Sequence, residues 1–376
     1  MSVSDPAGRP WALRVLDGSA TGPGAGALRL LLSGLALIYS GGLKLYLAPY
    51  RLGLRKQARL RCPVVSVGNL TTGGTGKTPF TLWLCRRLQA QGLRPCILSR
   101  GYRGAGEGGA VIVSTPDEVL LGAREAGDEA FLLATSLPGV PVLAGRDRRV
   151  TGRLAVERFS PDLIVLDDGM QFYQLHRDVE VVLLNAVRPF DNGRLLPRGL
   201  LREPPSHLSR AGFVVLTHVD EVAGDQVAAL KRRVAAIVGP GRVAEAAYSA
   251  AGVRPSAGGE ASPAMSLAGR KVAAVSALGH PEGFEGLLER VGADVALRRR
   301  FPDHHAVTPD EMEQAARDAQ EAGAELLAIT EKDAVKLPVR EYALPVVVLS
   351  AELDIIGHEA LDEAIRQALA RAGSKS

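Results

Sequence analysis

Cysteine is scarce in this chain, and its positions follow no recognisable pattern. Only Cys62, Cys85 and Cys96 occur among the 376 residues. An odd number of cysteines without CxxC spacing indicates neither a disulfide framework nor a thiolate metal site. We therefore expect a protein of a reducing compartment.

A strong excess of one charge is also missing. The chain has 45 Lys and Arg residues against 41 Asp and Glu residues, a formal net charge of +4. Residues 1–61 hold nine basic and two acidic residues and so carry +7, which leaves −3 on the rest of the chain. This distribution excludes a basic nucleic-acid-binding globule and predicts no nucleic-acid partner. The basicity belongs to the N-terminal segment.

No uncharged run is long enough for an ordinary membrane-spanning helix. Residues 30–43 are fourteen residues without a charge, bounded by Arg29 and Lys44, whereas a spanning helix needs about 20 apolar residues. At helical spacing Arg29, Ser33, Ser40 and Lys44 share one narrow stripe, and Leu and Ile cover the other faces. The pattern predicts a helix that lies in a membrane interface.

The basic residues that follow strengthen this prediction, because positions 51–61 would lie against anionic headgroups. Two alternatives stay open: a spanning helix over residues 28–48 with Lys44 reaching the interface, and an ordinary core helix. A cleaved signal peptide is disfavoured, because Leu-Ala-Pro stands where a small-residue cleavage site is needed.

The clearest motif is a glycine-rich loop between a strand and a helix. Val64 to Val67 reads as a buried strand and leads into GNLTTGGTGKTP, residues 68–79. In such a loop backbone N–H groups cradle phosphates, Lys77 reaches the β- and γ-phosphates, and Thr78 offers a hydroxyl to Mg²⁺. We predict a nucleotide site in which the phosphates contact Thr71, Thr72, Gly73, Gly74, Thr75, Gly76, Lys77 and Thr78. Thr71 departs from the pattern, because the first glycine of GxxxxGK[ST] falls there.

A second buried strand ends in acidic residues. Residues 163–166, Leu-Ile-Val-Leu, are followed by Asp167, Asp168 and Gly169. These carboxylates would lie at the carboxyl edge of a parallel sheet, beside the phosphates, and hold Mg²⁺ directly or through water. The alternative is a plain strand-end turn, since Asp-Gly is a common turn pair.

Strand and helix patterns alternate along the chain, which is typical of a parallel sheet covered on both faces. With 376 residues and 46% hydrophobic content, we expect two domains. The predicted parts are a membrane-associating segment at 1–61, a P-loop α/β domain at 62–250, and a smaller α/β domain at 251–376. A Gly-, Ser-, Pro- and Ala-rich linker is predicted at 252–263.

Taken together and in order, the motifs resemble one family, the tetraacyldisaccharide 4′-kinases of lipid A biosynthesis. The resemblance runs from the apolar N-terminal segment to near the C-terminus. Its motifs are GNLTTGGTGKTP (68–79), SRGYRG (99–104), GDEA (127–130), GRDRR (145–149), LDDGMQFYQLHRD (166–178), NGRLLPRGLLREP (192–204), FPDHH (301–305) and TEKDAVK (330–336).

The resemblance implies an ATP- and Mg²⁺-dependent lipid kinase. It would move the γ-phosphoryl of ATP to the 4′-hydroxyl of a tetraacyl glucosamine disaccharide 1-phosphate, at the cytoplasmic face of the inner membrane. The predicted interfacial helix suits such a substrate, because its acyl chains stay in the bilayer.

The resemblance also implies roles for individual side chains. Asp128 would act as base toward the acceptor hydroxyl, with support from His304, and Arg148 would neutralise a phosphoryl group together with Lys77. Glu129 joins the predicted metal ligands, and Gln171 the predicted nucleotide site.

From the residues alone, interpretations in which these side chains have no catalytic role stay open. Asp128 could be the N-cap of a helix that begins at Glu129, and Arg148 a solvated helix start. His304 could lie in a solvated loop. A metal site formed with Asp303 and His305 is disfavoured, because three adjacent ligands cannot easily converge on one ion.

Phe172 is a departure, since the family usually has His at this position. A membrane-associated P-loop switch protein that hydrolyses nucleotide is the alternative function. Thr72 argues against one group of such proteins, the partition-type ATPases, which carry a lysine at that position.

Overall fold

The computed structural model describes residues 11–17, 19–101, 109–302, 305–337 and 340–374. Within these ranges thirteen strands form one sheet. The strands are β1 (Val64–Asn69), β2 (Pro95–Ser99), β3 (Val111–Ser114), β4 (Val142–Ala144), β5 (Leu163–Asp167), β6 (Val179–Asn185), β7 (Phe213–Thr217), β8 (Val243–Pro255), β9 (Ser262–Pro263), β10 (Lys271–Ser276), β11 (Asp294–Arg300), β12 (Leu326–Thr330) and β13 (Val346–Ile356).

Helices lie between most of the strands and confirm the predicted alternation. They are α1 (Trp11–Asp17), α2 (Pro23–Arg51), α3 (Lys77–Ala90), α4 (Ala123–Ala126), α5 (Asp128–Ser136), α6 (Arg148–Phe159), α7 (Gly224–Val238), α8 (Pro281–Arg290), α9 (Pro309–Glu321), α10 (Glu331–Ala334) and α11 (Glu359–Gly373).

The centre of the sheet is parallel and fully buried. β1 pairs in parallel with β5 on one side and β6 on the other, and every residue of β1, β5 and β7 is buried. Continuous apolar strands of this kind need cover on both faces, which the helices provide. The register sets Val67 opposite Asp167, so the loop after β1 and the carboxylates after β5 lie at the same edge.

The sheet continues without a break into the C-terminal part of the chain, in the order β11-β10-β12-β13-β8-β7-β6-β1-β5-β2-β4-β3. The thirteenth strand, β9, pairs with β8 beside this order. The predicted linker at 252–263 is therefore wrong over its first residues, which belong to β8, and over its last two, which form β9. β8 continues to Pro255 and pairs antiparallel with β13. The small residues of this strand have low β-propensity, so local sequence does not mark it as a strand.

The apolar N-terminal segment forms one long helix, α2, of 29 residues. It is long and apolar enough to cross a membrane by length and composition, and almost none of its apolar stretch is buried in the molecule. The core-helix alternative is therefore wrong. α2 is a candidate membrane-associating helix.

The polar side of α2 faces the body of the molecule and much of its apolar side faces outward, the reverse of an ordinary amphipathic surface helix. Arg29, Ser33 and Ser40 of the predicted polar stripe are half-buried toward the body. Leu30 and Leu37 are 77% and 75% exposed. A soluble helix buries its apolar side chains and exposes its polar ones, so this outward apolar surface is suited to contact lipid.

Candidate active site

The glycine-rich loop connects β1 to α3 as predicted. Lys77 and Thr78 are the first two residues of α3. Gly76 adopts a left-handed φ of +78°, and a Cβ there would lie 2.5 Å from the Tyr248 hydroxyl. Only glycine fits this turn, which leads the chain into the positive end of the α3 dipole.

Asn69, the last residue of β1, organises the inside of the loop. Its Nδ2 donates to Thr75 Oγ1 at 2.7 Å, and its Oδ1 accepts a hydrogen bond from Lys77 Nζ at 3.4 Å. Arg202 also donates to this Oδ1. Asn69 and Arg202 lie in separate motifs, at 68–79 and 192–204, and no local pattern predicts their contact.

The start of the loop is held by the segment before Arg202. Thr71 bridges to Leu201, and the Thr72 N–H donates to the Leu200 carbonyl at 2.8 Å. Thr71 therefore has a structural partner at the position where the usual motif has glycine.

The two carboxylates after β5 have opposite electrostatic environments. Asp167 is 2% exposed, and burial, with Glu129 and Asp168 nearby, raises its pKa to about 7. Burial would also raise the pKa of Asp168, but Lys77 and Arg202 hold it well below its ordinary value. Asp168 is thus a fixed negative charge, and a bound cation would favour ionised Asp167.

Asp168 is the carboxylate in direct contact with the loop. Its Oδ1 lies 3.9 Å from Lys77 Nζ and accepts a hydrogen bond from Arg202 Nη2 at 2.9 Å. Asp167 instead accepts a bond from Thr81 Oγ1 at 3.4 Å, from within α3. The plain-turn interpretation does not fit a buried Asp167 bound to α3 and a partly buried Asp168 in contact with the loop.

Arg148 begins α6 but is 5% exposed, so it is not a solvated helix start. Burial lowers its pKa to about 10, against the opposing effect of the Asp168 charge. Its guanidinium lies 5.2 Å from the centre of the Phe172 ring. Its Nε is buried and has no hydrogen-bond partner among the described residues. The aromatic ring supports a cation that retains free donors.

Asp128 is the first residue of α5, and Gly127 is its N-cap. The N-cap interpretation of Asp128 is therefore wrong. Its carboxylate lies 2.8 Å from Nζ of Lys336, which is 7% exposed and follows α10. This pair joins the GDEA and TEKDAVK motifs, and the sequence reasoning did not anticipate it. The next residue, Glu129, is close enough to Asp167 to help raise its pKa.

Gln171 faces the end of β1. Its Nε2 donates to the Asn69 carbonyl at 3.0 Å and to Glu203 Oε1 at 3.1 Å. Its Oε1 is buried without a hydrogen-bond partner in the described ranges. His304 lies outside the described residues. Its neighbour His305 stacks on Phe301 and lies 2.9 Å from Glu311.

These side chains suit Mg²⁺. The predicted ligands Thr78, Asp167, Asp168 and Glu129 offer only oxygen atoms, which hard cations prefer. One of them, Asp167, is a buried carboxyl whose pKa is raised by burial and by the neighbouring carboxylates Glu129 and Asp168. The cations Lys77 and Arg148 lie on the same site and suit phosphate oxygens.

A cavity lies between α2 and the body, next to this site. It measures about 330 Å³ and is lined by Ser40, Lys44, Arg51, Ser206 and His207, among others. Pro204, Ser206 and His207 line it, and Arg202, just before them in the chain, donates its N–H to the Leu70 carbonyl. Tyr39 of α2 donates to the Arg202 carbonyl at 2.8 Å, while the side chain of Arg202 holds Asp168.

Comparison with known families gives one match across most of the chain. The sequence profile described as tetraacyldisaccharide-1-P 4′-kinase matches residues 28–370. A tetraacyldisaccharide 4′-kinase of Anaeromyxobacter sp. (strain K) is 46% identical over 330 residues, 86% of each chain. The tetraacyldisaccharide 4′-kinase of Geobacter sulfurreducens is 39% identical over 357 residues, 95% of this chain and 98% of the relative.

A solved structure has the same fold. The crystal structure of LpxK from Aquifex aeolicus in complex with ATP superposes with a TM-score of 0.73 at 33% sequence identity. The match covers 91% of this chain and 99% of that chain.

Proposed function

This chain belongs to the tetraacyldisaccharide-1-P 4′-kinase family, and we propose that it transfers the γ-phosphoryl of ATP to the 4′-hydroxyl of a tetraacyl glucosamine disaccharide 1-phosphate. One observation carries the proposal: the phosphate loop, the carboxylates after β5 and buried Arg148 meet at one edge of the sheet. Charge neutralisation around a transferring phosphoryl group requires this set of side chains.

In the proposed reaction Asp128 accepts the proton of the 4′-hydroxyl as its oxygen attacks the γ-phosphorus. The bond from that phosphorus to the bridging oxygen breaks, and ADP leaves. Lys336 orients the Asp128 carboxylate by their 2.8 Å contact. His304 is proposed to support Asp128.

Around the phosphates, the backbone of residues 71–76 is proposed to donate hydrogen bonds, and Lys77 and Arg148 to neutralise the charge of the moving group. Gln171 is proposed to contact the nucleotide through its free Oε1. Thr78, Asp167, Asp168 and Glu129 would hold Mg²⁺. Bound there, Mg²⁺ would withdraw negative charge from the phosphate oxygens.

The proposed place of action is the cytoplasmic face of the inner membrane, where α2 lies in the interface as a peripheral or monotopic anchor. The outward Leu30 and Leu37 would enter the lipid, and the basic positions 51–61 would meet anionic headgroups. The cavity under α2 is then at headgroup depth and one segment away from Asp168. We propose that it receives part of the acceptor lipid.

The test is incubation of the full-length chain with ATP, Mg²⁺ and the tetraacyl disaccharide 1-phosphate in detergent. We expect a phosphorylated lipid, with ATP consumption that requires the acceptor. Acceptor-independent hydrolysis alone would instead support a nucleotide switch. Asp128→Asn should lose transfer and retain ATP binding, whereas Asp162→Asn, which removes a carboxylate paired with Arg94 elsewhere, should retain both. Full transfer by Asp128→Asn would exclude the proposed base.

A further inference from the structure

A second group of potential metal ligands lies outside the catalytic site. His218 and Glu221 follow β7, and His280 immediately precedes α8. The ligand atoms of the three side chains all lie within 4.8 Å of one another. The cluster thus joins the carboxyl end of β7 to the start of a helix in the C-terminal part of the sheet.

Glu221 lies at the centre of the cluster. Its Oε1 is 2.7 Å from His218 Nδ1, and its Oε2 is 2.6 Å from His280 Nε2. The two imidazole rings are perpendicular, with centroids 4.9 Å apart. Two imidazoles therefore direct a nitrogen each to one carboxylate, from separate elements of the fold.

The surroundings fix the orientation of both rings. His280 Nδ1 lies 3.4 Å from Glu282 Oε2, so its Nε2 is the nitrogen available to a ligand. The ring of His218 packs against Tyr248 at 4.8 Å. A carboxylate on the outer nitrogen of a metal-bound histidine is the usual support for such ligands, because it holds the ring and raises its basicity.

Local charge favours a dication. Glu221, Glu282 and Asp220 bring three carboxylates to this region. Arg290 pairs with Asp220 and Arg300 with Glu282, each at 2.9 Å, whereas the ion pairs of Glu221 in the described part of the chain are with the two imidazoles. The three ligand side chains are between 10% and 21% exposed. An ion between them would be held mostly away from water, where its attraction to carboxylates is stronger.

We infer that His218, Glu221 and His280 form a binding site for one transition-metal dication of the Zn²⁺ class. Two imidazole nitrogens and one carboxylate oxygen are a known zinc donor set and leave a fourth position for water. Mg²⁺ prefers oxygen donors, so this site is distinct in chemistry from the proposed Mg²⁺ site.

Binding requires a small local change. The ion takes the place of the protons now shared between Glu221 and the two imidazoles, which are released to solvent. Metal–ligand bonds of about 2.0–2.2 Å in tetrahedral geometry set the donor atoms roughly 3.3 Å apart. The Glu221–imidazole distances of 2.7 and 2.6 Å therefore lengthen, from a starting arrangement in which all donor atoms lie within 4.8 Å of one another.

The experiment uses the full-length chain without a histidine tag, stripped of metal by a chelator and titrated with Co²⁺ in excess Mg²⁺. We expect one Co²⁺ per chain, the strong visible absorption of tetrahedral cobalt, and its loss when Zn²⁺ is added. His280→Asn and Glu221→Gln should each weaken Co²⁺ binding at least about tenfold. Circular dichroism of each variant checks that it is folded.

His358→Asn is the matched control, because it removes an imidazole paired with a carboxylate, Asp362, at 3.0 Å in another part of the chain. It should retain the cobalt spectrum. The proposal is overturned if the stripped chain gives no tetrahedral spectrum, if His280→Asn and His358→Asn give equal spectra, or if Mg²⁺ displaces the cobalt. The readout does not involve kinase activity, so it is independent of the proposed reaction.

Discussion

Substitution of Lys336 tests whether this side chain positions the proposed base Asp128 without contributing to ATP binding. It is 7% exposed and holds the Asp128 carboxylate at 2.8 Å. Lys336→Met should leave the carboxylate in place but free to rotate. We expect kcat to fall by about 10- to 100-fold, because catalysis depends on a fixed geometry of the base, while the KM for ATP stays within about twofold.

Steady-state kinetics at saturating acceptor measures both constants. Lys231→Met, which breaks a 2.7 Å ion pair with Glu245 outside the site, is the control and should retain wild-type kcat. An equal loss in kcat and in ATP affinity would contradict a positioning role for Lys336.

Glu180 on β6 gives a prediction about stability and pH. Burial raises its pKa from 4.5 to about 7, although Arg177 nearby acts in the opposite direction. A carboxyl with a raised pKa is protonated more readily in the folded state. Ionisation of Glu180 therefore lowers the free energy of unfolding progressively as pH rises from about 4.5 to about 7. Above pH 7 this loss of stability is constant.

Glu180→Gln should remove this pH dependence. We expect its unfolding free energy, relative to wild type, to rise by up to about 3 kcal/mol between pH 4.5 and 7. Denaturant unfolding at a series of pH values measures it, with exposed Glu118→Gln as the control. If the difference in unfolding free energy between Glu180→Gln and wild type does not change with pH, the raised pKa of Glu180 is contradicted.

For single residues, the sequence predicted the roles of side chains within one motif. It did not predict contacts between side chains of different motifs. Lys77 and Thr78 follow from a local pattern that the structure places after a strand and at the start of a helix. The contact of Arg202 with Asn69 and that of Lys336 with Asp128 join distant segments. Such pairs depend on how the chain folds, which no local pattern contains.

Among the helices and strands, α2 is predicted to bind the membrane through its exposed apolar side chains. The variant Leu30→Ser, Leu37→Ser, Ile38→Ser removes three side chains that are at least 72% exposed. Because they would be buried in lipid, we expect partition to vesicles containing anionic lipid to fall at least about tenfold. ATP binding should be unchanged, since exposed side chains support no packing.

Vesicle flotation measures the partition. The control replaces Val119, Leu120 and Met265, which are exposed apolar residues away from α2, with serine and should float like wild type. Equal flotation of the two variants would show that the apolar surface of α2 is not the membrane contact.

Elements with strong apolar patterns were predicted well, and those with weak patterns were missed. β5 is a run of branched residues, and residues 163–166 within it are predicted as a strand. β11, Asp294–Arg300, ends in three arginines and lies at one end of the sheet. Its backbone pairing with β10 makes it a strand, and that partner is not visible from local composition.

In the whole molecule, the C-terminal end of the chain returns to the nucleotide-binding part. Leu361 and Ile365 of α11 belong to the same core cluster as β1 and α3. Arg87 on α3 binds Asp362 at 2.6 Å, and Trp83 packs against His358. The predicted domains at 62–250 and 251–376 thus share a sheet and a core, so we expect them to unfold together.

Two core substitutions and one fluorescence probe test this expectation. In a Trp11→Phe background, Trp83 on α3 reports unfolding of the nucleotide-binding part. Ile365→Ala acts on its core directly, and Leu288→Ala acts on a separate cluster around β10 and α8. Each should cost about 2–5 kcal/mol. In a single cooperative unit both lower the Trp83 transition by several degrees. If Leu288→Ala leaves that transition unchanged, the two parts unfold independently.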